Sequence, residues 1–117
     1  MKDFLLIFRD TVENTQAYAN LSPAELQADM EKWNAWMSGL AEQGKLVGGQ
    51  PLLPDGTVIH GTARKTTDGP YIEGKDLVGG YLLIKAADMN DAVALSKGCP
   101  ALETPEGTVE VREIMPV

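Results

Sequence analysis

At 117 residues, 44% hydrophobic and 23% charged, the chain has the size and make-up of one globular domain rather than a disordered segment. Its net charge of −7 argues against nucleic acid or an anionic membrane as a direct partner, since both select clustered Lys and Arg; a small anion held by one or two local cations stays open. One cysteine, Cys99, excludes an internal disulfide, and no stretch approaches the roughly 20 apolar residues of a membrane helix, so a soluble, cytoplasmic protein is expected.

The first element is "DFLLIFR", a strand whose five central residues are all apolar and therefore buried on both faces. The run is too short for a signal sequence and has Asp3 and Arg9 on its flanks. The polar segment "DTVENTQAYAN" reads as a loop. A helix follows over "SPAELQADMEKWNAWMSGLAEQGKL". Ser22 is its N-cap, Pro23 its first residue, and Glu25 completes a capping box. Leu26, Met30, Trp33, Met37 and Leu40 make one apolar stripe, and Gly44 is the left-handed stop.

"KLVGGQPLL" reads as a strand with a bulge at Gly48–Gly49. Pro54-Asp55-Gly56 is a turn, and "TVIHGTARK" alternates as a further strand. A long loop, 65–78, leads to the apolar strand "GGYLLIKA". Asp88 caps a short helix, "MNDAVALSK", which ends at Gly98. Pro100 and Pro105 bracket a loop before the last strand, "GTVEVREI". This order predicts an α+β fold: a ferredoxin-like β-α-β-β-α-β domain spanning 1–117, with a β-hairpin inserted after the first helix.

Two helices cover one face of such a sheet. The first strand and "YLLI" are apolar on the other face too, and no third helix is expected. A second subunit related by a two-fold axis would cover it, giving a homodimer with sheet facing sheet. The alternative is that the loops 10–21 and 65–78 cover it within one chain.

The stretch "TDGPYIEGKDLVGGYLLI" resembles the DGPF motif of the YCII-related superfamily, with Asp68, Gly69, Pro70, Glu73, Lys75, Gly79, Gly80 and Tyr81 on the pattern and Tyr71 in place of Phe. The likeness extends through the opening strand, "LSPAELQADMEKWNAWM", "GKLVGGQPLLP", "CPA" and "GTVEVREI". It implies a dimeric α/β barrel of ferredoxin-like subunits with a cleft. In the wider superfamily it implies enzymes using a His–Asp pair, including a dehydrochlorinase, and domains linked with sigma factors. The histidine of such enzymes lies on the first helix. Here that helix has none, and the chain's one histidine, His60, lies elsewhere, so the His–Asp chemistry does not carry over.

Asp68 is either a turn residue bonding its own backbone or a carboxylate at the mouth of a cleft. Glu73 and Lys75 are two apart and share a side if extended. They form either an exposed ion pair or a polar site in which Lys75 meets an anionic group. Trp33 belongs to the apolar stripe, whereas Trp36 at its edge suits a pocket wall or an interface. His60 is a candidate acid–base residue but has no nucleophile or orienting carboxylate assigned to it. Cys99 lacks an activating base and reads as packing. Two Cys and His residues in all cannot make a zinc site. Glu25 and Asp29, one turn apart, read as a solvated helix face rather than a Mg²⁺ site. The glycine pairs lack a phosphate-loop spacing, so no metal or cofactor is expected.

The functional expectation is a small-molecule-binding protein; its catalytic version is a cofactor-free acid–base enzyme for elimination or isomerisation. Asp68 would move the proton, Lys75 or Arg64 would stabilise negative charge, and Tyr71 and Trp36 would be apolar walls, with Glu73 and His60 nearby. The alternative is a non-catalytic module that binds a protein, such as a sigma factor, in transcription regulation.

Overall fold

The computed structural model describes residues 1–73 and 76–117, Glu73 by its backbone alone. The elements in chain order are β1 (Lys2–Thr11), α1 (Val12–Ala19), α2 (Pro23–Glu42), β2 (Leu46–Pro51), β3 (Thr57–His60), β4 (Lys65–Asp68), β5 (Ile72–Glu73), β6 (Asp76–Ala86), α3 (Met89–Ser96), a single 3₁₀ turn (Pro100–Glu103) and β7 (Thr108–Glu113).

The centre of the molecule is the antiparallel pair β1–β6, in register from Lys2↔Ala86 to Phe8↔Gly80. Alternation sorts its side chains. Phe4, Leu6, Leu82, Ile84 and Ala86 face one way and are buried. Leu5, Ile7, Tyr81 and Leu83 face the other way and are half-buried. Strand β2 pairs with β6 and β7 with β1, both antiparallel, so the sheet order is β2-β6-β1-β7, with β5 added beside β6. Among the described residues the fold is α+β, with a mostly antiparallel sheet and three helices.

The helix over 23–42 forms as its signals dictate. Glu25 N–H donates to Ser22 Oγ (3.2 Å) and Ser22 N–H to Glu25 Oε1 (3.2 Å), Pro23 opens the first turn, and Gly44 takes φ 69°. The C-terminal half of its stripe carries the packing: Leu40 is buried, and Trp36 and Met37 lie on the core, joined there by Ala92 and Leu95 of α3. Met30, earlier on the stripe, is 52% exposed, so the helix overhangs the sheet at that end. Asp88 caps α3 by accepting from Asp91 N–H (2.8 Å).

Three expectations are corrected. The segment 10–20 is not a loop: it holds the end of β1 and the helix α1 (Val12–Ala19). Its N-cap is Thr11, whose Oγ1 accepts from Asn14 N–H (3.0 Å). Asp10 ties it down, accepting from Thr11 N–H (2.7 Å), Asn14 Nδ2 (2.8 Å) and, across the fold, the Thr104 hydroxyl (2.9 Å). None of the helix's residues is buried, so no apolar stripe announces it. Second, "TVIHGTARK" is not one strand. The chain reverses over 61–64, with Gly61 (φ 56°) and Arg64 (φ 54°) both left-handed and Arg64 N–H bonded to Gly61 O (3.1 Å). The hairpin β3–β4 results. Third, 65–78 is largely strand rather than loop: it holds β4, β5 and the first residues of β6. The bulge in β2 is present, as a register shift between Leu46 and Gly48.

Candidate functional site

Two turns meet at the base of the β3–β4 hairpin. Strand β2 ends at Pro51, and Leu52 N–H still reaches Gly79 O (2.9 Å). Pro54-Asp55-Gly56 then turns the chain outward, and after β4 Asp68-Gly69-Pro70 turns it back. The turns are joined directly: Gly69 N–H donates to Gly56 O (2.6 Å). Gly69 holds φ 89°, a conformation that strains any residue with a side chain. Gly56 lies against Pro70, close enough that a Cβ there would sit 3.7 Å from the Pro70 Cα. The Asp-Gly-Pro stretch is thus a main-chain clamp on the hairpin.

Between the clamp and the sheet lies an open groove of about 480 Å³. Pro51, Leu52 and Leu53 form one wall. Pro70 and Tyr71 form the other, with Leu77 and Val78 at the sheet side. Asp55 is the charged side chain on its described lining. Leu53 is 84% and Tyr71 69% exposed, so apolar surface faces water beside a carboxylate and a phenol. A volume of this size suits a small organic ligand.

Of the residues singled out from the sequence, Tyr71 lines this groove. Asp68 does not; it is exposed at the end of β4, opposite Thr57. His60 and Arg64 are exposed on the hairpin. His60 Nε2 is 2.9 Å from the Thr67 hydroxyl, and Arg64 Nη1 donates to Thr62 O (3.1 Å). Trp36 sits in the core. Its Nε1 donates to Leu95 O (3.0 Å), and its ring meets Phe8 and Trp33 edge-on at centroid distances of 6.3 and 5.9 Å. It joins α2 to α3 rather than lining the groove. Lys75 and the side chain of Glu73 lie outside the described residues. The sequence reading missed Asp55, seen only as a turn residue, and Leu52–Leu53, taken as strand.

Cys99 is buried, and burial pushes its thiol from 9.0 up to about 11. At pH values below 9.0, thiolate, the reactive form, is scarcer by about 100-fold than in an unshifted thiol, since each pKa unit is tenfold. Iodoacetamide at pH 8 should therefore alkylate the native protein at least ~100-fold more slowly than the urea-unfolded chain, by mass spectrometry. Equal rates would show an exposed thiol. Among the described residues no group of three or more His, Cys, Asp or Glu is placed to hold a metal ion, and no helix is long and apolar enough to cross a membrane.

With the sheet, the clamp and the groove defined, comparison with known families is decisive on kinship: the model of the YCII-related domain matches residues 4–117. The chain belongs to the YCII-related family. The match runs from β1 to the residues beyond β7, so this YCII-related domain includes the groove and the hairpin as well as the sheet. A search of curated proteins gives no significant match.

Proposed function

We propose that this YCII-related protein is a cytoplasmic homodimer of ferredoxin-like subunits, each binding a small organic molecule in the groove at the hairpin base. The sheet order β2-β6-β1-β7 supports the ferredoxin-like subunit, and the half-exposed apolar face of Leu5, Ile7, Tyr81 and Leu83 supports the dimer. The observation that carries the binding role is the groove itself, an open apolar surface whose lining includes Asp55 and Tyr71. Its chemistry fits an aromatic or aliphatic body bearing a cationic or hydrogen-bond-donating group for the carboxylate. Binding rather than catalysis is the better-supported role. A general base must come within hydrogen-bond reach of its substrate, and Asp68 is not on the groove wall.

Tyramine, which joins a phenol ring to an ammonium group, is a suitable probe. Saturation-transfer NMR should detect its binding to the parent protein. Tyr71→Ala should weaken it about tenfold, or ~1.4 kcal/mol, and Asp55→Asn should weaken it while sparing a neutral analogue such as benzyl alcohol. Equal transfer in parent and Tyr71→Ala would place binding elsewhere.

A further inference from the structure

The hairpin is the least supported part of the fold. Every residue from Ile59 to Asp68 is exposed, and Val58 alone between Thr57 and Asp68 is half-buried. Among the described residues β3 and β4 form a sheet of their own, four pairs from Thr57↔Asp68 to His60↔Lys65. A lone two-stranded ribbon is marginal in water at best. The chain as a whole is spread out: its radius of gyration is 15.6 Å, against about 13 Å for a compact domain of this length. An arm of this kind needs a surface to rest on.

Its composition and its root say which. Residues 59–66 contain Arg64 and Lys65 and no acid, in a chain of net charge −7. A basic tip on an acidic protein is complementary to a second copy of that protein. The face toward Ile59, which is 68% exposed, adds an apolar contact. The arm also springs from the rim of the open sheet face. Gln50, opposite Tyr81, is on that face, and β2 ends one residue later, with the arm beginning at Thr57. Four strand residues at ~3.4 Å each carry the tip about 13 Å from its base, far enough to reach over the flank of a neighbour seated on the sheet.

We infer that the β3–β4 arm of each subunit lies against a second copy of this chain, with Arg64 and Lys65 against that negatively charged copy and Ile59 packed beside them. The inference rests on the two-fold dimer proposed above and adds the element that clasps it.

Sedimentation velocity over a dilution series, with the full chain, tests it. Arg64→Glu combined with Lys65→Glu, and separately Ile59→Ser, should each raise the dimer dissociation constant at least tenfold, with circular dichroism unchanged. The parent's dissociation constant should rise with salt, and the double variant should lose that dependence. Trypsin gives a second reading, since it cuts after Arg64 and Lys65. The fraction nicked per minute should fall as protein concentration rises through the dissociation constant. A dimer whose dissociation constant shifts less than twofold in both variants, nicked at a rate independent of concentration, would overturn the clasp and leave the dimer standing. A parent protein monomeric at every concentration would remove both.

Discussion

Gly49→Ala should lower the stability of the protein by about 3 kcal/mol, the upper part of the range for forcing an extra carbon into a packed site. A Cβ at Gly49 would collide with the backbone oxygen of Tyr81 and lie 2.7–2.8 Å from the Leu82 Cδ1 and Cα. Two of these three atoms are main chain of the neighbouring strand and cannot turn aside. Strand β2 would have to lift from β6 just beyond the register shift between Leu46 and Gly48. Pro51, a wall of the groove, is two residues further on. The damage should therefore reach the site as well as the fold. Gly39→Ala is the control with the opposite sign. Gly39 lies within α2 with nothing within 4 Å of an added Cβ, so alanine should stabilise by about 0.5–1 kcal/mol through helix propensity. Urea midpoints at unchanged m-value measure both. A neutral Gly49→Ala would mean that β2 does not approach β6 this closely.

Leu83→Asp should turn the proposed dimer into a monomer without unfolding it. Leu83 is half-exposed in the single chain and lies opposite Leu5 in the middle of the open face. A carboxylate there remains partly hydrated in a monomer. Under a second sheet it would be buried, once per subunit, with no cation assigned to it. On the order of 4 kcal/mol of lost association energy corresponds to a dissociation constant raised about 1,000-fold. Light scattering behind size exclusion reads the outcome. A variant as dimeric as the parent would show that this face is not the interface.

How much of this was legible in the sequence depended on whether a signal was local. The helix over 23–42 carried three independent signals, a capping box, Pro at the first position and a glycine stop, and all three formed. Strands β1 and β6 were legible because a run of apolar residues bounded by charges has few other uses. Helix α1 was not, because it buries no residue and so shows no apolar stripe, and one of the bonds that fix its start, Thr104 to Asp10, comes from 94 residues away. The reversal at 61–64 was hidden because Val58, His60 and Thr62 alternate as a strand would. Only the left-handed Gly61 and Arg64 separate the two outcomes.

The site was legible in part for a related reason. The Asp-Gly-Pro stretch drew attention through its turn chemistry, and the structure uses it as a turn, bonded through Gly69 to Gly56. The same stretch brings Tyr71 to the groove. Asp55 comes from a second turn, 16 residues earlier in the chain. Nothing in the sequence pairs the two turns, since their meeting depends on where β3 and β4 reverse. Trp36 illustrates the converse. Its position at the edge of a helical stripe suggested a pocket wall, but α3 packs over that edge and its Leu95 carbonyl takes the indole N–H.

The most direct test of the binding role is a titration of the ¹⁵N-labelled full chain with tyramine, followed by amide shifts. Saturable shifts confined to Leu52, Leu53, Asp55, Tyr71, Leu77 and Val78 are the expected result. Shifts that never saturate, or that saturate around other residues, would contradict the assignment of this groove as the site.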